Sequence, residues 1–197
     1  MDNHMTRYIL SGGYPWKAPD GGKAFFEELA RGYEEPVKIL ECLFARPEDA
    51  WTKAYVEEQE LVARLLPDKN IEFQLARRDA FIEQIRWANT IYLRGGDTAA
   101  LLAALAQYPG WEKELGGKTL AGGSAGAMVI AKYSYSIDEL ALEDGLGLLP
   151  IKVQVHYRSD YNAPHVDWDN ADEALASYKE KLPVWNLGEG EFKVFER

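Results

Sequence analysis

The sequence predicts a three-layer α/β/α protein, in which a mostly parallel sheet lies between helices on both faces. Two observations support this prediction. Apolar segments of strand length alternate with segments of helical length from residue 7 to residue 131. Three of the predicted strands end in small-residue turns, at Gly12-Gly13, Gly95-Gly96 and Gly122-Gly123. Because sites in such sheets gather at the carboxyl ends of the strands, we expect a functional site where these turns meet.

The first part of the chain contains five strand–helix units. Each predicted strand is a short apolar or alternating run, and each long helix has an apolar face and ends near glycine or proline. The predicted strands cover residues 7–11, 36–44, 71–75, 90–93 and 119–121. The predicted helices lie between residues 25 and 32, 47 and 67, 79 and 87, 99 and 107, and 127 and 131.

The pattern changes after the fifth unit, where strands become shorter and loops more polar. Residues 138–144 are acidic and expected to be exposed, and a helix is expected over residues 170–181. Residues 133–136 and 148–157 are predicted strands, the second with His156 at or near its end. Two further runs, residues 184–187 and 192–195, are predicted to form a closing C-terminal β-hairpin with Gly188-Glu189-Gly190 at its turn.

Length and composition exclude several classes of function. The 197 residues are most simply one domain, residues 1–197, with 47 % hydrophobic and 27 % charged side chains. A net charge of −10, with no cluster of lysine and arginine, argues against a nucleic-acid partner. No apolar run approaches the ~20 residues that cross a bilayer, and residues 1–5 contain no signal-peptide core. We therefore expect a cytoplasmic protein without a membrane partner, and Cys42, the single cysteine, as a core residue.

The stretch Gly122-Gly123-Ser124-Ala125-Gly126 has the pattern G-x-S-x-G between a predicted strand and a predicted helix. In this context the serine lies on a sharp, strained turn, and its neighbours must be small to avoid the strand and the helix. We predict Ser124 as a nucleophile and the Ala125 N–H as an oxyanion donor. A second donor is expected from Gly95-Gly96. The alternatives are a serine that merely caps the helix and a simple close turn.

A serine hydroxyl is a poor nucleophile until a base removes its proton, and imidazole titrates near neutral pH. The chain has three histidines, His4, His156 and His165. Only His156 lies at the end of a predicted strand, where this fold places catalytic side chains. We predict His156 as the general base, with a buried histidine of no catalytic role as the alternative.

A third group should orient the imidazole and stabilise its charged form. Two carboxylates are candidates. Glu189 lies in the late turn, and Asp138 lies between the serine and the histidine in the chain. The residues do not decide between them, and either is alternatively a solvated turn carboxylate.

A metal site is a rival interpretation of the same region. Metal-ligand residue types recur in its loop, at His156, Asp160, His165, Asp167 and Asp169. Their spacing matches no zinc signature. The chain also lacks the glycine patterns of phosphate-binding and dinucleotide-binding loops. We therefore expect neither a metal nor a cofactor.

Three segments together resemble the peptidase E family, which includes aspartyl dipeptidases and cyanophycinases. They are Ile91–Thr98 with its Gly-Gly-Asp-Thr turn, Gly122–Ala127, and Leu149-Pro150 followed by the strand ending in His156. The resemblance spans residues 7–197 in element order. It implies a flavodoxin-like fold similar to class I glutamine amidotransferases.

The resemblance also implies a serine peptidase. Ser124 is similar to the family's nucleophile and His156 to its base, while Gly96 and Ala125 correspond to its oxyanion donors. Either Glu189 or Asp138 corresponds to its acid.

The chain departs from the family pattern at Asp97 and at Tyr157-Arg158. Asp97 stands where aspartyl dipeptidases have asparagine, so an acidic substrate end is disfavoured and a free amino terminus is a candidate ligand. We expect a monomer or homodimer that hydrolyses small peptides as a dipeptidase-like exopeptidase. The alternatives are an esterase and a catalytically silent small-molecule-binding protein of the same fold.

Overall fold

The computed structural model describes residues 5–160 and 162–197, so His4 and Tyr161 lie outside the described residues. The strands in this part of the chain are β1 (Arg7–Ser11), β2 (Val37–Cys42), β3 (Ile71–Leu75), β4 (Thr90–Leu93), β5 (Thr119–Gly123), β6 (Ala131–Ser136), β7 (Ala141–Asp144), β8 (Leu149–Gln154), β9 (Val184–Asn186) and β10 (Phe192–Glu196). The helices are α1 (Lys23–Ala30), α2 (Trp51–Leu65), α3 (Phe81–Trp87), α4 (Thr98–Leu105), α5 (Ala125–Ile130) and α6 (Trp168–Ser177). Short 3₁₀ helices cover Pro15–Lys17, Glu48–Ala50 and Trp111–Leu115.

The larger of two sheets has six strands in the order β10, β1, β5, β4, β2, β3. Its neighbouring strands are parallel, except that β10 runs antiparallel to β1. The predicted α/β class with a mostly parallel sheet is confirmed.

Two hydrophobic cores cover the two faces of the larger sheet. Side chains alternate between the faces of a strand, and β1 illustrates this pattern. Ile9 packs in the core that contains α1 and α2, whereas Leu10 packs in the core that contains α3, α4 and α5. Both are fully buried. Since burying such a side chain contributes roughly 1.5–3 kcal/mol, these cores fix the sheet and the turns at its carboxyl edge.

A smaller sheet has the strand order β7, β6, β8, β9. β8 is parallel to both β6 and β9, whereas β7 is antiparallel to β6. Ile151 and Val153 of β8 belong to the same core as α5, so the two sheets share packing around this helix. α5 follows the G-x-S-x-G turn at Ser124, which we call the elbow. β7 lies within the stretch predicted only as exposed and acidic. Its residues are half-buried or exposed, so they give little hydrophobic signal.

The predicted C-terminal β-hairpin is wrong. β9 pairs with β8 in the smaller sheet, whereas β10 pairs with β1 in the larger sheet. Residues 187–191 cross between the sheets: the Leu187 N–H donates to the Gln154 carbonyl, and the Gly190 N–H donates to the Gly13 carbonyl, both at 2.9 Å. Turn residues between two β-prone runs do not distinguish a hairpin from a crossing. The crossing brings Glu189 to the carboxyl end of β1.

Cys42 is fully buried in the core of the larger sheet, as predicted. Burial raises the pKa of its thiol to about 12, so this side chain is a poor nucleophile. Within the described residues, no helix combines the length and the apolar character that crossing a membrane requires.

Candidate active site

Ser124 connects β5 to α5 with φ 49° and ψ −112°. A non-glycine residue at positive φ is strained, which agrees with the sharp turn expected for G-x-S-x-G. The turn packs closely, because a Cβ added to Gly126 would lie 2.2 Å from the carbonyl oxygen of Leu93. The Ser124 side chain makes no capping hydrogen bond to α5. The alternative of a simple helix cap therefore does not describe this serine.

His156 follows β8 by two residues and lies against the elbow. Its backbone N–H donates to the carbonyl oxygen of Gly12 at 2.9 Å, and its Nε2 lies 2.9 Å from Oγ of Ser124. The residue is only 8 % exposed. Gly13 has φ 102°, and a Cβ there would lie 2.4 Å from Cε1 of the imidazole. The ring therefore occupies space that only a glycine at the end of β1 leaves open.

Glu189 lies on the other side of the imidazole, with its Oε1 3.1 Å from Nδ1 of His156. A carboxylate accepts hydrogen bonds, so Nδ1 carries the proton and Nε2 accepts from the Ser124 hydroxyl. The Glu189 side chain is 10 % exposed. It also accepts hydrogen bonds from Lys17 Nζ, from Ser159 Oγ at 2.8 Å and from Asn162 Nδ2. These donors hold the carboxylate in place.

Burial and hydrogen bonding act in opposite directions on the pKa of Glu189. Burial raises this pKa, but the hydrogen bonds from Lys17 and the other three donors outweigh burial and bring it to about 2. Burial lowers the pKa of His156, although the hydrogen bond and charge of Glu189 raise it in part. Near neutral pH the pair is an ionised carboxylate and a neutral imidazole, which is the form that a general base requires.

Asp138, the other candidate acid, lies in the turn after β6 and is exposed. Among the described residues, its carboxylate has no hydrogen-bond or ion-pair partner. Its charge raises the pKa of His156 less than Glu189 does. The structure therefore places Glu189, and not Asp138, at Nδ1 of the imidazole.

The turn after β4 packs against the elbow, since a Cβ on Gly95 would lie 3.1 Å from Cβ of Ser124. In the part of the chain that the structure describes, the N–H groups of Gly95 and Gly96 have no acceptor. Ala125 is the first residue of α5, and such a residue has no acceptor within its own helix. The unpaired N–H groups thus lie on the two segments that adjoin Ser124, namely the turn after β4 and the start of α5.

Asp97 is the N-cap of α4, and its carboxylate accepts from the Ala100 N–H at 2.9 Å. It is not among the residues that line the cleft beside Ser124. The structure therefore gives Asp97 a capping contact, whereas the sequence suggested a contact with the substrate.

A cleft extends to both sides of Ser124 and His156. We call one side the arginine side, because Arg46 and Arg94 line it, and the other the acidic side, because Asp138 lines it. The arginine side has a volume of about 180 Å³ and the acidic side about 200 Å³. Both are below the roughly 300–1,000 Å³ of pockets for drug-sized ligands. The arginine side is lined by Tyr14, Trp16, Arg46, Tyr92 and Arg94, among others. The acidic side is lined by Thr98, Met128, Ser136, Asp138 and Asn162, among others.

Several residues of this site were not predicted. Ser159 and Asn162 lie in the polar loop directly after His156, so their position beside a predicted base was the available signal. Lys17 and Arg46 carry no local pattern. The predicted rival, a metal site, finds no support in the geometry: among the described residues no three His, Cys, Asp or Glu side chains are placed to hold a metal ion. His165 instead donates from Nε2 to the Ile137 carbonyl at 2.9 Å.

The model of peptidase family S51 matches residues 58–195, a span that contains Ser124, His156 and Glu189. This chain belongs to peptidase family S51. The resemblance found in the sequence is therefore confirmed, and the chain is a serine-type peptidase by family.

Two solved structures share the fold. A peptidase from an acI-B1 Actinobacterium is 22 % identical, with a TM-score of 0.68 over 99 % of this chain and 85 % of that one. A putative peptidase E protein from Listeria monocytogenes EGD-e is 17 % identical, with a TM-score of 0.65 over 98 % of each chain. A comparison with curated proteins gives no significant match.

Proposed function

We propose that this serine peptidase is an exopeptidase that hydrolyses short peptides, with Ser124 as nucleophile, His156 as general base and Glu189 as the acid of the triad. The observation that carries the proposal is one continuous hydrogen-bond chain. Oγ of Ser124 lies 2.9 Å from Nε2 of His156, and Nδ1 lies 3.1 Å from Glu189. Serine, imidazole and carboxylate in this order are the arrangement of serine hydrolases.

The chemistry proceeds in two halves. Oγ of Ser124 attacks the carbonyl carbon of the peptide bond while Nε2 of His156 takes the hydroxyl proton. The carbonyl oxygen becomes an oxyanion that accepts hydrogen bonds from the N–H groups of Gly96 and Ala125, with Gly95 beside them. The C–N bond then breaks, and His156 returns the proton to the leaving amine. This leaves an ester between the acyl group and Ser124.

Water completes the cycle. His156 takes a proton from a water molecule, whose oxygen attacks the ester carbonyl. The C–O bond to Ser124 breaks, the serine regains its proton from His156, and the carboxylic acid leaves. Glu189 keeps the imidazole in the required tautomer and stabilises the imidazolium that forms in each half. Its low pKa keeps it ionised throughout.

The size of the cleft supports a short substrate. Each side holds about 180 to 200 Å³, and Ser124 and His156 lie where the sides meet. Such volumes suit roughly one residue on either side of the cleaved bond, since even a drug-sized ligand needs roughly 300 Å³.

A panel of dipeptides, tripeptides and aryl esters, incubated with wild type and Ser124→Ala, tests this function. Loss of the nucleophile should lower kcat by roughly 10⁶-fold, the scale seen when a serine hydrolase loses its serine. Ser177→Ala, at an exposed serine on α6, is the matched control and should retain wild-type turnover.

Other outcomes overturn the proposal in distinct ways. Equal turnover by Ser124→Ala removes this serine from the mechanism. Turnover of aryl esters without turnover of any peptide supports the esterase alternative. Ligand binding without turnover of any substrate supports the silent binding protein.

A further inference from the structure

Arg46 is a half-buried cation on the wall of the cleft beside Ser124. Its Nε–H donates to the carbonyl oxygen of Gly95 at 2.8 Å, which fixes the guanidinium next to the Gly95-Gly96 turn. Among the described residues, its terminal nitrogens Nη1 and Nη2 have no hydrogen-bond acceptor and no ion-pair partner. The two terminal nitrogens are therefore available to a ligand.

Two other cations of this region are engaged by carboxylates. Lys17 is paired with Glu189. Arg94 is 6 % exposed and is paired with both Glu41 and Glu58, at 2.8 Å from the latter. Of the described arginines that line the cleft, Arg46 is thus the one without a carboxylate partner. A guanidinium stays charged at all relevant pH values and binds carboxylates through two parallel N–H groups.

The acidic side of the cleft carries the opposite charge. Asp138 lines this side and has no partner among the described residues. Burial raises the pKa of Glu143, a hydrogen bond from Ser136 lowers it in part, and the charges of Glu139, Asp97 and Asp138 raise it, so these three acids lie within electrostatic range of Glu143. A carboxylate ligand is therefore repelled from the acidic side and attracted to the arginine side, and an ammonium ligand behaves in the opposite way.

From this arrangement we propose that the cleft selects dipeptides with two free ends, and that Arg46 binds the C-terminal carboxylate of the substrate. A dipeptide has its cleavable bond between an ammonium group and a carboxylate group. Ser124 lies in the same way between the acidic side and the arginine side. The inference rests on the proposed peptidase function and adds to it a substrate class, with Arg46 as the specificity-determining residue.

Calorimetric binding to Ser124→Ala separates recognition from turnover. The ligands are alanyl-alanine and its C-terminal amide, which lacks the carboxylate charge. The free acid should bind roughly 10- to 100-fold more tightly than the amide, the range expected for charge-assisted hydrogen bonds. Adding Arg46→Gln should bring this preference close to one, whereas Arg46→Lys should restore part of it. Arg86→Gln removes the same charge from an exposed position on α3, outside the lining of the cleft, and should keep the full preference.

The preference for acid over amide isolates the carboxylate contact from any structural role of Arg46. Because Arg46 also holds Gly95, the Arg46→Gln variant can lose turnover through the oxyanion turn. Such a loss affects the acid and the amide alike and leaves their ratio unchanged. A ratio that Arg46→Gln leaves unchanged therefore overturns the assignment.

Two further outcomes separate this inference from the proposed function. If wild type hydrolyses dipeptides but binds acid and amide equally, the inference is wrong and the peptidase proposal stands. If no peptide is hydrolysed but the preference depends on Arg46, the inference stands and the proposed function is wrong. A third comparison uses aspartyl-alaninamide and alanyl-alaninamide, of which only the first has a side-chain carboxylate. If the aspartyl ligand binds more tightly and this difference depends on Arg46, the C-terminal assignment is incorrect.

Discussion

Glu189 and Asp138 both act on the charge of His156, yet their surroundings differ. Glu189 is 10 % exposed and accepts hydrogen bonds from His156, Lys17, Ser159 and Asn162. Asp138 is exposed and has no such donors among the described residues. The difference teaches that an acid orients an imidazole only when its own carboxylate is held by other groups. A carboxylate that acts on the imidazole only through its charge, without a hydrogen bond, does not provide that geometry.

Of the variants that test this comparison, Glu189→Gln should lower kcat/KM the most. Glutamine keeps the size of the side chain but removes the negative charge and allows an N–H to face Nδ1, which favours the wrong tautomer. We expect kcat/KM for a dipeptide to fall roughly 10³- to 10⁴-fold, as for other triad acids. The measurement is steady-state hydrolysis near neutral pH, with thermal unfolding as a check on folding.

The pH profile of the same variant provides an independent check. His156 must be neutral to act as a base, and burial lowers its pKa from 6.5, so the acid limb of kcat/KM should have its midpoint below 6.5. Glu189 raises this pKa, so its removal should move the limb to still lower pH. A limb that moves to higher pH in Glu189→Gln contradicts the assigned contact.

Gly13→Ala should have the next largest effect, because it displaces the imidazole without altering any catalytic group. The added Cβ would lie 2.4 Å from Cε1 of His156, and the residue has φ 102°. A displacement of about 1 Å at a catalytic group costs ~100-fold in rate, and we expect a loss of this size in kcat. Gly110→Ala has a similar backbone, but its Cβ would come no closer than 3.7 Å to the Lys113 side chain, so it serves as the control. Wild-type turnover by Gly13→Ala would show that the imidazole position is not required.

Asp138→Asn should have the smallest effect. Exposed charges interact by ~0–1 kcal/mol, so we expect kcat for alanyl-alanine at saturating concentration to stay within about fivefold of wild type. The acid limb should move to lower pH, but by less than in Glu189→Gln, because Asp138 contributes less to the pKa of His156. A loss as large as that of Glu189→Gln would make Asp138 the orienting acid.

The regular part of the fold was predictable because its signals are local. The bounds of β1, β3 and β4 agree with the structure, since each is a short run with a clear hydrophobic pattern. Ser124 was found in the same way, because the pattern G-x-S-x-G carries both the turn and its small neighbours. These features depend on residues that are adjacent in the chain.

Pairing between distant segments was not predictable in this way. β9 and β10 were assigned to one hairpin, although they belong to different sheets. The choice between Glu189 and Asp138 stayed open for the same reason, because Glu189 reaches His156 only through that crossing. Arg46 likewise lies beside Ser124 only because β2 and β4 are neighbours in the sheet. No local sequence pattern indicates which distant segments become neighbours in a sheet.

The most direct test of the triad is labelling with a fluorophosphonate. The Oγ of an activated serine displaces fluoride from phosphorus and keeps the phosphonyl group, which mass spectrometry of the intact protein and its peptides can locate. We predict a single adduct on Ser124 in wild type, with labelling that slows strongly in His156→Ala. Wild-type protein that hydrolyses dipeptides while Ser124 stays unlabelled, or that carries the adduct on another serine, would contradict the account.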